Sequence, residues 1–180
     1  MPRYAAFLRG INVTGSRIKA DALCAPFTEL GFENVATFRA SGNVIFDAPR
    51  ASGPALARRI ELRLADDLGL KRAVTYVRTA AEMRELAAND PFPSKAVAAS
   101  NGKLQVMLLS RKPAAAAQTA VLAMASAEDL LAFGARELFW LPSGGYLETG
   151  LDLKAIDKLL GATTTRTKAT IDQIAAKYFG

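Results

Sequence analysis

The chain has 180 residues, of which 51% are hydrophobic and 22% charged, a composition that supplies a packed core for one domain or two small lobes and excludes global disorder. Histidine is absent and Cys24 is the only cysteine, which excludes an internal disulfide, histidine-dependent catalysis and histidine-bearing zinc sites. Lysine and arginine number 23 against 17 acidic residues. This mild basic excess suits either ordinary surface charge or a phosphate-bearing partner.

The N-terminal segment predicts a strand rather than a signal peptide, because Arg9 soon interrupts its apolar run. No apolar run reaches the ~18 residues of a membrane span. We therefore expect a cytoplasmic protein with no membrane partner. The carboxylates show no ligand spacing, so no metal is predicted. No cofactor is predicted either, because Ser16 stands where a phosphate-binding P-loop requires lysine.

The first part of the chain predicts elements in the order β-α-β-β-α-β. Apolar runs mark the strands, and apolar residues at three- and four-residue spacing mark the helices. Ser52 is predicted to cap the second helix and Gly69 to end it, whereas Pro26 is expected to kink the first. This is the ferredoxin-like order, in which two helices cover one face of a four-stranded antiparallel sheet. The predicted strands are 4–9, 35–40, 44–47 and 73–77, and the helical stripes are 18–30 and 56–68.

The second part of the chain predicts a related lobe. Two prolines and a polar stretch favour a linker at residues 91–101, between a first lobe at 1–90 and a second at 102–180. A β-α-β-β-α order follows a short helix over 79–88 and the linker, and a final helix ends the chain. Apolar segments 35–38 and 44–46 align with 130–133 and 139–141 at an offset of 95 residues, which suggests internal duplication. The predicted strands are 104–109, 130–133 and 138–141, and the helices 113–125, 152–160 and 168–178. The fold class is thus α+β, with two ferredoxin-like lobes packed into one compact unit.

Two motifs are the most specific features of the sequence. Leu-Arg-Gly-Ile-Asn at 8–12 is followed by Ser-Gly-Asn at 41–43, and further matches lie at 89–92, 141–144 and 164–166. In these segments the chain resembles the bacterial family catalogued as domain of unknown function 1697. The resemblance implies an α+β fold and no established activity. The chain departs from the family pattern at Thr14, where relatives usually carry glycine, and at Thr167-Lys168, where they usually carry Asn-Trp.

Polar residues near two turns are the candidates for a ligand site. The loop after the first strand feeds a helix N-terminus, whose free N–H groups and dipole favour an anion, and arginines nearby would add to that attraction. We therefore predict a binding module for a phosphate-bearing ligand, either a nucleotide or a nucleic acid. The predicted ligand-binding residues are Arg9, Asn12, Arg17, Lys19, Arg39, Ser41 and Asn43.

A structural role competes with this interpretation at the same positions. The glycines and asparagines supply the backbone conformations of turns, and Arg9 pairs with a carboxylate such as Asp47 in that alternative. The ferredoxin-like order places strand three between strands one and two, so the two turns need not adjoin. The strand aromatics are expected to fill the core rather than to stack RNA bases.

Two other functions stay open from sequence. An enzyme without histidine would need a carboxylate, lysine, tyrosine or Cys24, and Asp47 and Asp90 are conceivable although nothing in the sequence pairs them. Cys24 itself is expected to be a buried, inert thiol. A protein-interaction or self-association domain is favoured by the apolar strands and the alanine-rich helix at 113–125.

Overall fold

The computed structural model describes residues 1–12, 18–39, 42–101, 103–145, 147 and 149–180. Strands and helices alternate in two successive βαββαβ series, each followed by a further helix. The elements of the first series are β1 (Arg3–Arg9), α1 (Ala20–Glu29), β2 (Glu33–Thr37), β3 (Asn43–Asp47), α2 (Gly53–Leu68), β4 (Val74–Thr79) and α3 (Ala80–Ala88). After α4 (Ser94–Ala99), the second series comprises β5 (Gln105–Leu108), α5 (Ala115–Leu122), β6 (Asp129–Phe133), β7 (Glu137–Pro142), α6 (Leu153–Leu160), β8 (Thr164–Thr167) and α7 (Lys168–Tyr178).

Two antiparallel four-stranded sheets form the framework. Their strand orders are β2-β3-β1-β4 and β6-β7-β5-β8, so the second sheet repeats the first strand for strand. The predicted α+β class with two similar lobes is confirmed. The second lobe contains one strand more than the sequence predicted, because β8 consists of polar threonines and an arginine that carry no apolar signal. No helix in the described part of the chain is long and apolar enough to cross a membrane.

The chain divides into two compact units whose limits differ from the predicted lobes. Unit 1 comprises Met1–Arg84 and Ile174–Gly180, and unit 2 comprises Glu85–Gln173. The boundary therefore falls inside α3 and again inside α7. The segment 91–101, predicted to be a linker, contains the short helix α4.

Unit 1 packs α1 and α2 on its sheet. Leu56, Ile60 and Leu64 of α2 are fully buried in one apolar cluster with the inward residues of the sheet. The predicted end signals of α2 are confirmed: Ser52 Oγ accepts from Ala55 N at 3.3 Å, and Gly69 adopts a left-handed conformation with φ 67°. Pro26 lies inside α1.

Unit 2 repeats this arrangement with its own core. Leu138 and Trp140 of β7, Met107 of β5 and Ile156 of α6 belong to one buried cluster. Asp152 caps α6, its Oδ1 accepting from Ala155 N at 2.9 Å.

Strand register defines how the two units correspond residue by residue. Ala5 pairs with Ile45 and Arg78 in unit 1, and Val106 pairs with Phe139 and Arg166 in unit 2. None of these six residues belongs to the apolar clusters that face the helices. Side chains alternate between the two faces of a strand, so the six lie on the opposite face of each sheet. Ile45 therefore corresponds to Phe139, 94 residues later, and not to Trp140 as the offset of 95 predicts. The offset fails because a shift of one residue moves a side chain to the opposite sheet face.

The sheet faces opposite the helices are also buried. Phe7 and Phe139 are fully buried, as are Phe46 and Trp140 on the helix side. The expectation that the strand aromatics fill the core holds for these four rings, because none of them is accessible to a base.

Candidate functional site

A cavity of about 180 Å³ lies beside the β2–β3 turn of unit 1. The loop after β1, the start of α1 and the turn itself contribute to its walls. Its lining residues are Ile11, Asn12, Ile18, Ala20, Leu23, Thr37, Arg39 and Gly42. Two of the predicted ligand-binding residues, Asn12 and Arg39, therefore line the same cavity. The sequence had left open whether their two turns lie next to each other.

A tight contact at Gly42 brings these segments together. Leu8 N donates to Gly42 O at 2.8 Å, which fastens the turn to the end of β1. Gly42 has φ 71°, and a Cβ there would lie 2.9 Å from Ile11 Cδ1. The left-handed backbone is the main reason for glycine at this position, since Ile11 Cδ1 is the end of a flexible side chain.

The start of α1 lies at the wall of the cavity. The N-cap residue Lys19 has an extended backbone, and its side chain makes no capping hydrogen bond. Ala20, the first residue of the helix, lines the cavity. The exposed Lys19 adds positive charge at this end, while Asp21 in the first turn offsets part of it.

Arg39 belongs both to the cavity lining and to a group of two aromatic rings and two basic side chains. It is exposed and has φ 55°, and its guanidinium carbon lies 5.6 Å from the centroid of the Phe38 ring. Lys177 Nζ lies 6.0 Å from the same centroid and 5.0 Å from that of Tyr178. The Phe38 and Tyr178 rings meet edge to face at 6.3 Å. We call Phe38, Arg39, Lys177 and Tyr178 the aromatic–basic cluster. Sequence reasoning missed Lys177 and Tyr178, because they are about 140 residues from Arg39 and carry no motif.

Of the remaining predicted site residues, Arg9 and Asn43 lie outside the cavity lining, and two are not described by the structure. Arg9 does not line the cavity; it alternates with the inward-facing Leu8 and shares the sheet face of Phe7. Asn43 is fully buried and donates from Nδ2 to Phe38 O at 3.0 Å, which holds the turn as the structural alternative expected. Arg17 and Ser41 lie outside the described residues, as do Thr14 and Ala40.

The carboxylate suggested as a partner of Arg9 pairs with another arginine. Arg3 Nε and Nη2 donate to the two oxygens of Asp47 at 2.8 and 3.0 Å, and Asn34 Nδ2 donates to Oδ2 at 2.8 Å. The hydrogen bonds from Arg3 lower the pKa of Asp47, against the smaller effect of burial. Asp47 thus ties β1, β2 and β3 together and is ill suited to proton transfer.

Of the other residues suggested for an enzyme, Asp90 is exposed and pairs with a lysine, and Cys24 is partly buried. Asp90 is 77% exposed at its side chain and lies 3.3 Å from Lys168 Nζ. Lys168 is itself buried, and its Nζ donates to Ala87 O at 2.8 Å and Asp172 Oδ1 at 2.7 Å. One of the two residues at the second departure from the family pattern is therefore a buried lysine. Burial, with a smaller contribution from Asp21, raises the pKa of the Cys24 thiol, which disfavours the nucleophilic thiolate.

Unit 2 contains a second cavity, of about 410 Å³, between the ends of β6 and β7. Asp129, 5% exposed, lies in its wall, where its Oδ1 accepts from Trp140 Nε1 at 2.7 Å and from Thr149 Oγ1 at 2.8 Å. Ser143 Oγ donates to Glu128 Oε2 at 2.8 Å across another wall. The sequence predicted no site here. A sequence feature that could have indicated this cavity is Trp140. Its indole N–H requires an acceptor when the ring is buried.

No group of three metal-ligating side chains occurs among the described residues.

Two comparisons with known proteins give a match, one to a family and one to a solved structure. A family model described as "Protein of unknown function (DUF1697)" matches residues 1–139. The chain belongs to this family. The DUF1697 match ends inside β7, so the resembling segments at 141–144 and 164–166 lie beyond it. A solved structure of the conserved bacterial protein SP0830 from Streptococcus pneumoniae is similar over 97% of both chains, with 22% identity and a TM-score of 0.68. That similarity supports the fold. A search of curated proteins finds no match.

Proposed function

We propose that this DUF1697 protein binds a phosphate-bearing ligand, a nucleotide or a nucleic acid, at the unit 1 cavity, and that it does so in the cytoplasm. The observation that carries the proposal is the joining of Asn12, Arg39 and the start of α1 around one opening. A phosphate oxygen accepts hydrogen bonds from amide N–H, side-chain amide and guanidinium groups, and the lining residues Ala20, Asn12 and Arg39 carry these groups.

The size of the cavity limits what enters it. A volume of about 180 Å³ is below the roughly 300 Å³ of typical small-ligand pockets, so it suits a phosphate group rather than a whole nucleotide. The rest of the ligand would lie along the aromatic–basic cluster. Phe38 and Tyr178 are half-buried there, and aromatic and arginine side chains are the usual partners of unstacked bases.

The proposal is tested by measuring the binding of a labelled oligouridylate of about ten nucleotides. Fluorescence anisotropy at low salt measures its affinity. Arg39→Gln should weaken binding by about tenfold and reduce the slope of log affinity against log salt by about 1. Arg136→Gln is the matched control, because Arg136 lies in the corresponding β6–β7 turn of unit 2 and should leave binding unchanged.

Competition separates the two ligand sources. Displacement of the oligonucleotide by AMP at equal phosphate concentration would indicate a free nucleotide, and resistance to AMP would indicate a polymer. If the oligonucleotide and AMP both fail to bind at low salt, or if the two arginine variants lose binding equally, the proposal is wrong.

A further inference from the structure

The cavity of unit 2 differs chemically from that of unit 1. Five polar side chains converge on it, two of them carboxylates, and none of the described residues in its walls is basic. Met124 and Leu151 supply an apolar part of the wall. The volume of about 410 Å³ falls within the range of about 300–1,000 Å³ that holds small organic ligands. The polar members are Ser126, Glu128, Asp129, Ser143 and Thr149.

Hydrogen bonds hold the wall in place before any ligand enters. Ser126 Oγ accepts from the backbone N–H groups of Glu128 and Asp129 at 3.2 and 3.1 Å. Thr149 Oγ1 accepts from Leu151 N at 2.9 Å while donating to Asp129. Ser143 N donates to Glu128 O at 2.7 Å. The loops on both sides of the cavity are thus tied to β6 and β7, which lowers the ordering cost of binding.

We propose that this cavity is a second binding site, for a small organic cation that carries a protonated primary amine on a short aliphatic chain. Two carboxylates in a wall whose described residues include no basic side chain favour a positive ligand, since an opposite charge in a partly desolvated site is strongly attracted. An ammonium group has three N–H donors, which match the carboxylates of Glu128 and Asp129 in the wall. The aliphatic chain packs on Met124 and Leu151.

An amine fits better than a metal ion. Asp129 Oδ1 already accepts two hydrogen bonds, from an indole N–H and a hydroxyl, and no trio of metal-ligating side chains exists among the described residues. Glu128 and Ser143 also line a neighbouring cavity of about 240 Å³ beside α4, so the Glu128 carboxylate is accessible from two sides.

Trp140 gives the site its own optical probe. It is the only tryptophan in the chain and is fully buried, with its N–H on Asp129. Titration of the whole protein with 1,4-diaminobutane and with n-butylamine should change Trp140 fluorescence saturably, with a matching heat in isothermal titration calorimetry. The uncharged 1,4-butanediol of similar length should produce neither signal.

Two variants and a control complete the test. Glu128→Gln changes an exposed side chain, and Asp129→Asn keeps an acceptor oxygen for Trp140, so both remove charge with little change in shape. Each should weaken amine binding by more than about tenfold, whereas Asp66→Asn, at an exposed carboxylate of α2, should not. Absence of both fluorescence change and heat with both amines, equal binding of the diol, or full binding by Glu128→Gln and Asp129→Asn overturns the proposal. None of these outcomes bears on the phosphate site of unit 1.

Discussion

The two βαββαβ units share a sheet order but differ in the turn between their middle strands. Residues 38–42 join β2 to β3 in unit 1, whereas residues 134–136 join β6 to β7 in unit 2, so the first turn is two residues longer. The longer turn carries Arg39 and Gly42 into the wall of the unit 1 cavity. In unit 2 the cavity lies at the opposite ends of the same two strands, around Asp129 and Pro142. The same sheet order thus carries a cavity lined by Arg39 in one unit and a cavity lined by Glu128 and Asp129 in the other.

The cores should be the costliest parts of either unit to change. Phe46 packs against Tyr4, Phe27 and Phe32, at ring-centroid distances of 5.7, 5.4 and 4.9 Å. Phe46→Ala should lower the free energy of unfolding by about 4 kcal/mol, measured by urea denaturation, because it leaves a cavity among these rings. Leu62→Ala, at an exposed position of α2, should cost less than about 0.5 kcal/mol. Equal losses in both variants would contradict the assignment of Phe46 to the core.

The corresponding position in unit 2, Trp140, adds a polar contact to the packing. Trp140→Phe removes the donor to Asp129 and should destabilise the protein by about 2 kcal/mol, since a buried carboxylate then loses a hydrogen bond. Tyr4→Phe is the matched control in unit 1, because its hydroxyl lies 3.4 Å from Ala51 O and should matter less. Denaturation midpoints of the two variants would show whether the polar contact distinguishes the units; a larger loss for Tyr4→Phe would reverse the expectation.

Shortening the longer turn tests whether its length creates the phosphate site. Deleting Ala40 and Ser41 gives the β2–β3 connection the length of its counterpart. We expect oligonucleotide binding to fall by about tenfold or more, while the free energy of unfolding changes by less than about 1 kcal/mol, because loop length has a weak effect on stability. Anisotropy and urea denaturation of the same sample measure both. Unaltered binding would separate the ligand from the turn.

The smallest expected difference concerns pH. Asp47 forms a bidentate pair with Arg3 in unit 1, whereas Leu141 stands at the matching position of β7. The folded state lowers the pKa of Asp47, so the pair stabilises the protein above the unfolded carboxyl pKa. That stability is lost as pH falls through the lower folded-state pKa. The unfolding free energy should therefore decline on acidification by about 1 kcal/mol less in Asp47→Asn than in the unmodified protein. This value is small because the side chain of Arg3 is partly exposed.

Urea denaturation at neutral and acidic pH measures this difference. Asp67→Asn removes the exposed pair of Asp67 with Arg63 and serves as the control, for which we expect a smaller change. If Asp47→Asn shows the same acid dependence as the unmodified protein, the pair contributes nothing measurable.

The sequence predicted the element order of the first lobe and both end signals of α2, because these depend on local patterns: apolar spacing, a serine cap and a glycine stop. It missed β8, whose residues are polar, and it shifted the repeat by one residue. Amino-acid type alone does not distinguish the two faces of a strand that is buried on both. Register supplies that information, since it identifies Arg78 and Arg166 as equivalent.

Part of the candidate site was predictable and part was not. Asn12 and Arg39 were named from turn chemistry and charge, and the structure places both in one wall. Lys177 and Tyr178 join them only through tertiary folding, which leaves no local trace. The unit 2 cavity was missed for the same reason: Asp129 and Thr149 are brought together by β6 and the segment after β7.

The return of the chain to unit 1 at Ile174–Gly180 has a consequence for synthesis on the ribosome. Arg84 Nη1 donates to Phe179 O at 3.2 Å, and Phe179 is buried. Domains usually fold in order as they emerge during translation, but here the first unit lacks its own last segment until the second has been made. Unit 1 can therefore be completed only after unit 2 has been synthesised, and a ribosome stalled before residue 174 would hold unit 1 without Phe179 and Tyr178.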